Sequence, residues 1–305
     1  MKRLLLLALG AFAAAAVACG EEAAPKTIGE SLQEVETGRK AVREVEGLLK
    51  SGTDISPTEG AQDFVVTTSD DFEIAGTYYR YDGKRSIPIV LMLHEAGGSR
   101  DDWTETAEYL YDAGFAVLNI DLRGHGKSTS KGGSTVSHES FSEDDWQDLA
   151  IDARAVLEWV QEDEAIDIVR IGLIGSKTGA NVAVKVLHAE ADLRAAFLVS
   201  PNPVYNGIDI TPELPLREEQ NIFIMTGNAK ADVLDFTKEF YNVALTTRKR
   251  YEIYETALEG LDLVREMWTN GLVVVEADSS WGTPAIADQQ RKFDKVLVDF
   301  VIRNI

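Results

Sequence analysis

Ile171–Asn181 reads IGLIGSKTGAN. A short apolar run ends at Gly175, three residues follow, and Gly179 opens a helical pattern, so a buried strand is predicted to turn sharply into a helix. Glycines on both sides of such a turn remove the side chains that would hold strand and helix apart. Upstream, Phe64–Thr68 and Phe72–Tyr81 read as an antiparallel opening pair, Ile87–His94 (IPIVLMLH) as a buried strand and Phe115–Ile120 as another. Trp103, Ala107, Leu110 and Tyr111 mark one helix face; Trp146, Leu149, Ala150, Ala153, Val156, Leu157 and Val160 mark a second, leading to the strand Ile168–Ile174. Downstream, the pattern predicts a helix over Thr178–His188, strands over Ala195–Val199 and Asn221–Thr226, and a helix over Asp232–Ala244. A strand over Arg250–Tyr254 and a terminal helix through Phe293, Val296, Leu297, Phe300 and Val301 complete the series. Strands alternating with helices imply an α/β domain with a mainly parallel central sheet and helices on both faces.

Three segments resemble, in order and position, motifs of the α/β-hydrolase superfamily. IGLIGSKTGAN (Ile171 to Asn181) is similar to its nucleophile elbow, LMLHEAGGSRDDW (Leu91 to Trp103) to its His-Gly oxyanion loop and the following helix, and NIDLRGHGKS (Asn119 to Ser128) to its Asp-x-Arg-Gly-His-Gly-x-Ser loop. The likeness covers residues from about 63 to 305 and is nearest to lidless bacterial hydrolases of the dienelactone-hydrolase or serine-aminopeptidase type. It implies the α/β-hydrolase fold. Chemistry has to be argued from the site.

In the superfamily the elbow reads G-x-S-x-G, with the nucleophile in a strained turn between the two glycines. Gly175 and Gly179 bracket Lys177, so a lysine stands at the nucleophile position. Taking Ser176 instead would set the β-branched Ile174 and Thr178 where the turn wants no side chain. The family's triad runs serine, acid, histidine. The four histidines lie at 94, 125, 138 and 188, and none follows 188. The family pattern aligns Glu259 with the missing histidine, and a carboxylate is a weak general base near neutral pH unless its pKa is raised. Asp232 or Asp235 is a candidate acid, with Lys230 as another alignment. His94, Glu95, Ala96, Gly97 and Thr178 would line the cleft, and Glu95 replaces the oxyanion loop's usual glycine. A negative charge there opposes the stabilisation of an oxyanion. The expectation is a hydrolase-fold protein without Ser-His-Asp catalysis.

A lysine at a helix N-terminus also requires a carboxylate partner, because the helix dipole disfavours a cation there. Glu259 and Glu95 are the candidates, with a Lys177–Glu259 pair expected across the old active site and a cleft that binds rather than cleaves. Two other readings stand beside this one. An active enzyme would use Ser176 with Lys177 to hydrolyse esters or amides, or Lys177 as an imine-forming amine toward carbonyl substrates. A scaffold would bind a partner through Glu30–Lys50 or through Met267–Asp288, a stretch read as an insertion after the last strand. No His-x-His or His-Glu-x-x-His spacing and no glycine-rich phosphate loop is present, so neither a metal nor a cofactor is expected. Glu162–Glu164 forms an acidic run at a helix end, where the dipole does not favour it.

The chain of 305 residues carries 51 acidic and 30 basic side chains, a formal charge of −21, with 45% apolar residues. That composition fits one sizeable globular core, and the acidic balance argues against nucleic acid as a partner. Lys2 and Arg3 precede an apolar run from Leu4 to Val17, too short for a membrane span and suited to a signal peptide. Ala16, Val17 and Ala18 before Cys19 resemble a bacterial lipobox, which implies acylation of Cys19 and a lipid anchor in the cell envelope. The expected organisation is a signal peptide over 1–18, a tether with a short amphipathic helix over 19–60, and the hydrolase-like domain over 61–305. A small molecule or protein partner is expected, of unknown identity.

Overall fold

The computed structural model describes residues 60–217, 219–227, 235, 238–240, 253–256, 271–275 and 290–305. In chain order these form β1 (Ala61–Thr67), β2 (Phe72–Tyr79), β3 (Ile87–Leu93), helix α1 (Thr104–Asp112), β4 (Ala116–Ile120), and the short strands β5 (Ser130–Lys131) and β6 (Ser134–Thr135). Then come α2 (Glu143–Gln147), α3 (Leu149–Val160), β7 (Ile166–Ser176), α4 (Thr178–Ala189), β8 (Ala195–Val199), β9 (Val204–Tyr205) and β10 (Ile208–Asp209). β11 (Asn221–Gly227), β12 (Ile253–Thr256), β13 (Gly271–Val275) and α5 (Gln290–Asn304) complete the described elements.

β3, β4, β8 and β11 contain no charged residue, and together with the uncharged end of β7 they form the middle of one sheet ordered β12-β13-β11-β8-β7-β3-β4-β2-β5-β6. Strands from β12 across to β4 run parallel, while β2 is antiparallel to β4 and β1 is antiparallel to β2. Side chains alternate between two faces. Leu91, Leu93, Leu118, Leu173 and Leu198 join one buried cluster with Val156 and Leu157 of α3 and Ala183 of α4. On the other face Phe197 and Phe223 stack at 5.1 Å, and Phe300 of α5 closes on them at 5.9 and 5.7 Å. The sheet is therefore covered on both faces and the fold is α/β, as the pattern implies.

The boundaries differ from expectation in instructive places. β7 extends through Ser176, because Lys177 still donates its N–H to Val199 O at 2.8 Å across to β8. The single stripe from Trp146 to Val160 is two helices, the first opened by a Ser142–Asp145 capping box and ending at Gln147. The polar segment after Ser128 adds the β5–β6 hairpin to the sheet edge beside β2. One expectation is overturned. Met267–Asp288 is not an insertion outside the sheet, because Gly271–Val275 is β13, hydrogen-bonded in parallel between β11 and β12. Val273–Val275 is a sheet strand, which is what a three-valine run favours. The leader, Cys19, the tether and its helix lie outside the described residues, as do Trp268 and Trp281.

Candidate functional site

The turn between β7 and α4 is held by the two glycines. A Cβ on Gly175 would collide with Gly179 O, and one on Gly179 would collide with Leu93 O, so neither position accepts a side chain without moving backbone. Between them Lys177 has φ +45° and ψ −108°, a left-handed conformation that side chains rarely adopt, at the N-cap of α4. Holding a non-glycine residue there costs on the order of 1–3 kcal/mol. Such strain aims one side chain out of the turn, and here that side chain is an amine. Ser176, one residue earlier, is fully buried at the strand end.

The ammonium of Lys177 meets Glu95 Oε2 at 2.8 Å, and the two side chains keep only 26% and 13% of their exposure. The partner demanded by the helix terminus is thus Glu95 from the loop after β3. Glu259, the other candidate, lies outside the described residues, as does Asp232; Asp235 is helical and exposed. His94 precedes Glu95 and is fully buried, its Nδ1 2.7 Å from Glu95 O and its Nε2 2.9 Å from Leu122 N. A backbone N–H can only donate, so Nε2 accepts and the proton sits on Nδ1, which donates to Glu95 O. Burial holds this ring below its usual pKa and therefore neutral. Both nitrogens are committed, so His94 fastens the loop that carries Glu95. Gly98 N–H then returns to Glu95 O at 3.0 Å, closing a turn over Ala96 and Gly97, the latter at φ +79°.

The Asp121–Ser128 loop braces this arrangement from the side. Buried Asp121 accepts from the N–H groups of Arg100 at 2.8 Å and Lys127 at 2.9 Å. Buried Arg123 is gripped by Asp152 at 2.7 Å and bonds both oxygens of Asp70 at 2.9 and 3.0 Å. Burial would raise the Asp70 pKa, but hydrogen bonds from Thr68 and Arg123 overcome it and bring the carboxyl down to about 2. His125 stacks on His138 at 3.9 Å, and burial with His94 nearby pushes His125 down to about 3. These groups are structural in this geometry, and among the described residues no group of three or more His, Cys, Asp or Glu could hold a metal ion.

The sequence reading missed one element at this site, the β9–β10 hairpin. Its turn is Asn206–Gly207, with φ of +48° and +83°, and Asn206 donates to Thr178 Oγ1 at 3.3 Å over the first turn of α4. Asn181 ties the hairpin down by donating to Asn202 O at 2.8 Å and Ile208 O at 2.9 Å. The signal was present as VYNGID (Val204 to Asp209), an Asn-Gly pair between apolar residues. Sheet order adds a second point. β13 lies between β11 and β12, so the end of β12, three residues before Glu259 in sequence, is one strand further from the elbow than the end of β13. No histidine follows either strand in sequence, since the last one in the chain is His188.

Comparison with known proteins agrees with this architecture. Residues 85–216, less than half of the chain, match the family model described as serine aminopeptidase, S33. An uncharacterized protein of Mycobacterium tuberculosis is 32% identical over 138 residues, 45% of this chain and 44% of the relative. A bifunctional esterase/perhydrolase of Acinetobacter calcoaceticus is 30% identical over 161 residues, 51% of this chain and 48% of the relative. The chain spans about half the length of the curated relatives it matches. Among solved structures, a Pyrococcus furiosus esterase superposes with a TM-score of 0.58 at 20% identity, covering 80% of this chain and 90% of the esterase. A dienelactone hydrolase from Anabaena variabilis gives 0.56 at 16%, covering 81% and 99%. The fold is the α/β-hydrolase fold.

Proposed function

We propose that this α/β-hydrolase-fold chain does not perform serine-hydrolase chemistry and uses the site around Lys177 for binding. One observation carries the reading. The strained elbow position is occupied by an amine already neutralised by Glu95 at 2.8 Å. An ion-paired ammonium is neither a nucleophile nor the partner of one, and the carboxylate beside it repels the negative charge that develops in acyl transfer. The chain also has no histidine after His188 to serve as base. The competing reading, an active hydrolase built on Ser176 with Lys177, is disfavoured by the full burial of Ser176.

The test is a fluorophosphonate probe on the purified chain, with an esterase of this fold as the positive control. No labelling is expected. Labelling that disappears in Lys177→Ala or Ser176→Ala overturns the proposal. As part of the same reading, Cys19 carries the lipid that anchors the protein to the bacterial envelope, on the strength of the apolar run and small residues before it. Palmitate labelling that Cys19→Ser abolishes is the expected result, and an unlabelled wild-type protein removes the anchor.

A further inference from the structure

A cleft opens between β1, β2 and the last turn of α3, with a volume of about 440 Å³ and no elbow or oxyanion-loop residue in its walls. That size is within the range of small-molecule sites. Phe64 stacks on Trp159 at 4.6 Å, and Tyr78 meets the same indole edge-on at 5.8 Å, so aromatic surface forms one side. Phe64 can lie flat there because Gly76 opposite offers no side chain against its ring.

One carboxylate of the cleft is left uncompensated. Asp63, Glu162 and Asp163 line it against a single cation, Arg80. Arg80 is already engaged by Asp163 at 3.1 Å and Asp82 at 3.5 Å, and Asp63 is shared by Arg100 and Lys127 at 3.4 Å each. Glu162 is exposed at the mouth, and among the described residues it forms no ion pair. The 12 residues of α3 end here without a basic residue in the last turn. The negative end of the helix dipole therefore faces carboxylates, the reverse of the stabilising arrangement. Asp163 is already answered by Arg80 and the Tyr78 hydroxyl, at 3.1 and 3.0 Å, so the remaining repulsion lies at Glu162, where a cation would relieve it. Bare metal ions are poorly suited, because aromatic walls supply no ligands and no metal-competent cluster exists among the described residues.

The geometry points to this cleft as a binding site for a small organic cation, an alkylammonium whose carbon atoms lie against the Phe64–Trp159 wall while its charge faces Glu162 at the end of α3. The inference is independent of what happens at Lys177. Choline chloride and its uncharged isostere 3,3-dimethylbutan-1-ol are titrated into the full chain by calorimetry at low salt. Saturable binding of choline is expected, with the alcohol at least about tenfold weaker. Glu162→Gln, a conservative change at an exposed position, should weaken choline about two- to fivefold, the span of an exposed cationic contact. Trp159→Ala should weaken it further. Equal binding of choline and the alcohol, no saturable binding of choline, or a Glu162→Gln protein that binds choline as well as wild type overturns the assignment.

Discussion

Removing the carboxylate from the Lys177–Glu95 pair should destabilise the fold more than removing the amine. A fully buried ion pair broken on one side costs about 3–5 kcal/mol and an exposed one about 0–1. With 26% and 13% of their side-chain exposure left, the two residues lie between these limits. Glu95→Gln strands an ammonium at the N-cap of α4, adding about 0.3–1 kcal/mol of unfavourable dipole interaction, for a total of about 2–3 kcal/mol. Lys177→Gln leaves a carboxylate instead. Leu93, two residues before Glu95, abuts Gly179 in the first turn of the same helix. A negative charge at that end gains from the dipole, so this variant should cost about 1 kcal/mol. Urea unfolding of wild type, both single variants and the double variant closes the cycle. A coupling energy below about 0.5 kcal/mol, the ordinary scatter of independent sites, refutes the reasoning. So does Lys177→Gln being the costlier change.

Three further outcomes are expected. Gly179→Ala must push backbone away from Leu93 O and should lose about 1–3 kcal/mol in thermal or urea unfolding; a loss under about 0.5 contradicts the packing at the turn. The Asp70 carboxyl is lowered from 3.8 to about 2, so its contribution is present above about pH 4 and vanishes as pH falls through about 2. Asp70→Asn should therefore narrow the stability gap to wild type by roughly 2 kcal/mol between pH 5 and pH 2, and a gap that stays constant sinks the assignment. Lys177→Ser should remain unlabelled by fluorophosphonate, because restoring the hydroxyl supplies no imidazole, and labelling would reveal a base that the chain was expected to lack.

The elbow was legible because its constraint is local. Two glycines four residues apart fix the turn, and the residue between them must take positive φ whatever its chemistry, so Lys177 could be located without coordinates. The identity of its partner was not legible. Charge favours Glu259 and Glu95 alike; the Glu95 contact comes from the close approach of the β3 loop to the helix terminus, a tertiary fact, while Glu259 lies outside the described residues. The partners of His94 and Asp121 are likewise tertiary facts, because Leu122 and Arg100 reach them from other segments. β13 was misread for another reason. Its three valines, Val273–Val275, announce a strand clearly enough, but a strand's place among its neighbours is set by non-local pairing that no short window records. The β9–β10 hairpin is different, because Asn206–Gly207 carries its turn chemistry locally and its strands of two residues each are too short to show a period.

That sheet order constrains how the chain is assembled. During synthesis Ile253–Thr256 leaves the ribosome before Gly271–Val275, yet its hydrogen-bonded neighbour is the later segment. Until residue 275 has emerged, Ile253–Thr256 lacks the partner it has among the described strands, and the side of β11 that β13 covers stays open. A chain stalled or clipped between the two segments would thus display an apolar, unpaired border, the sort of surface that chaperones hold and that like chains pair with when chaperones are absent.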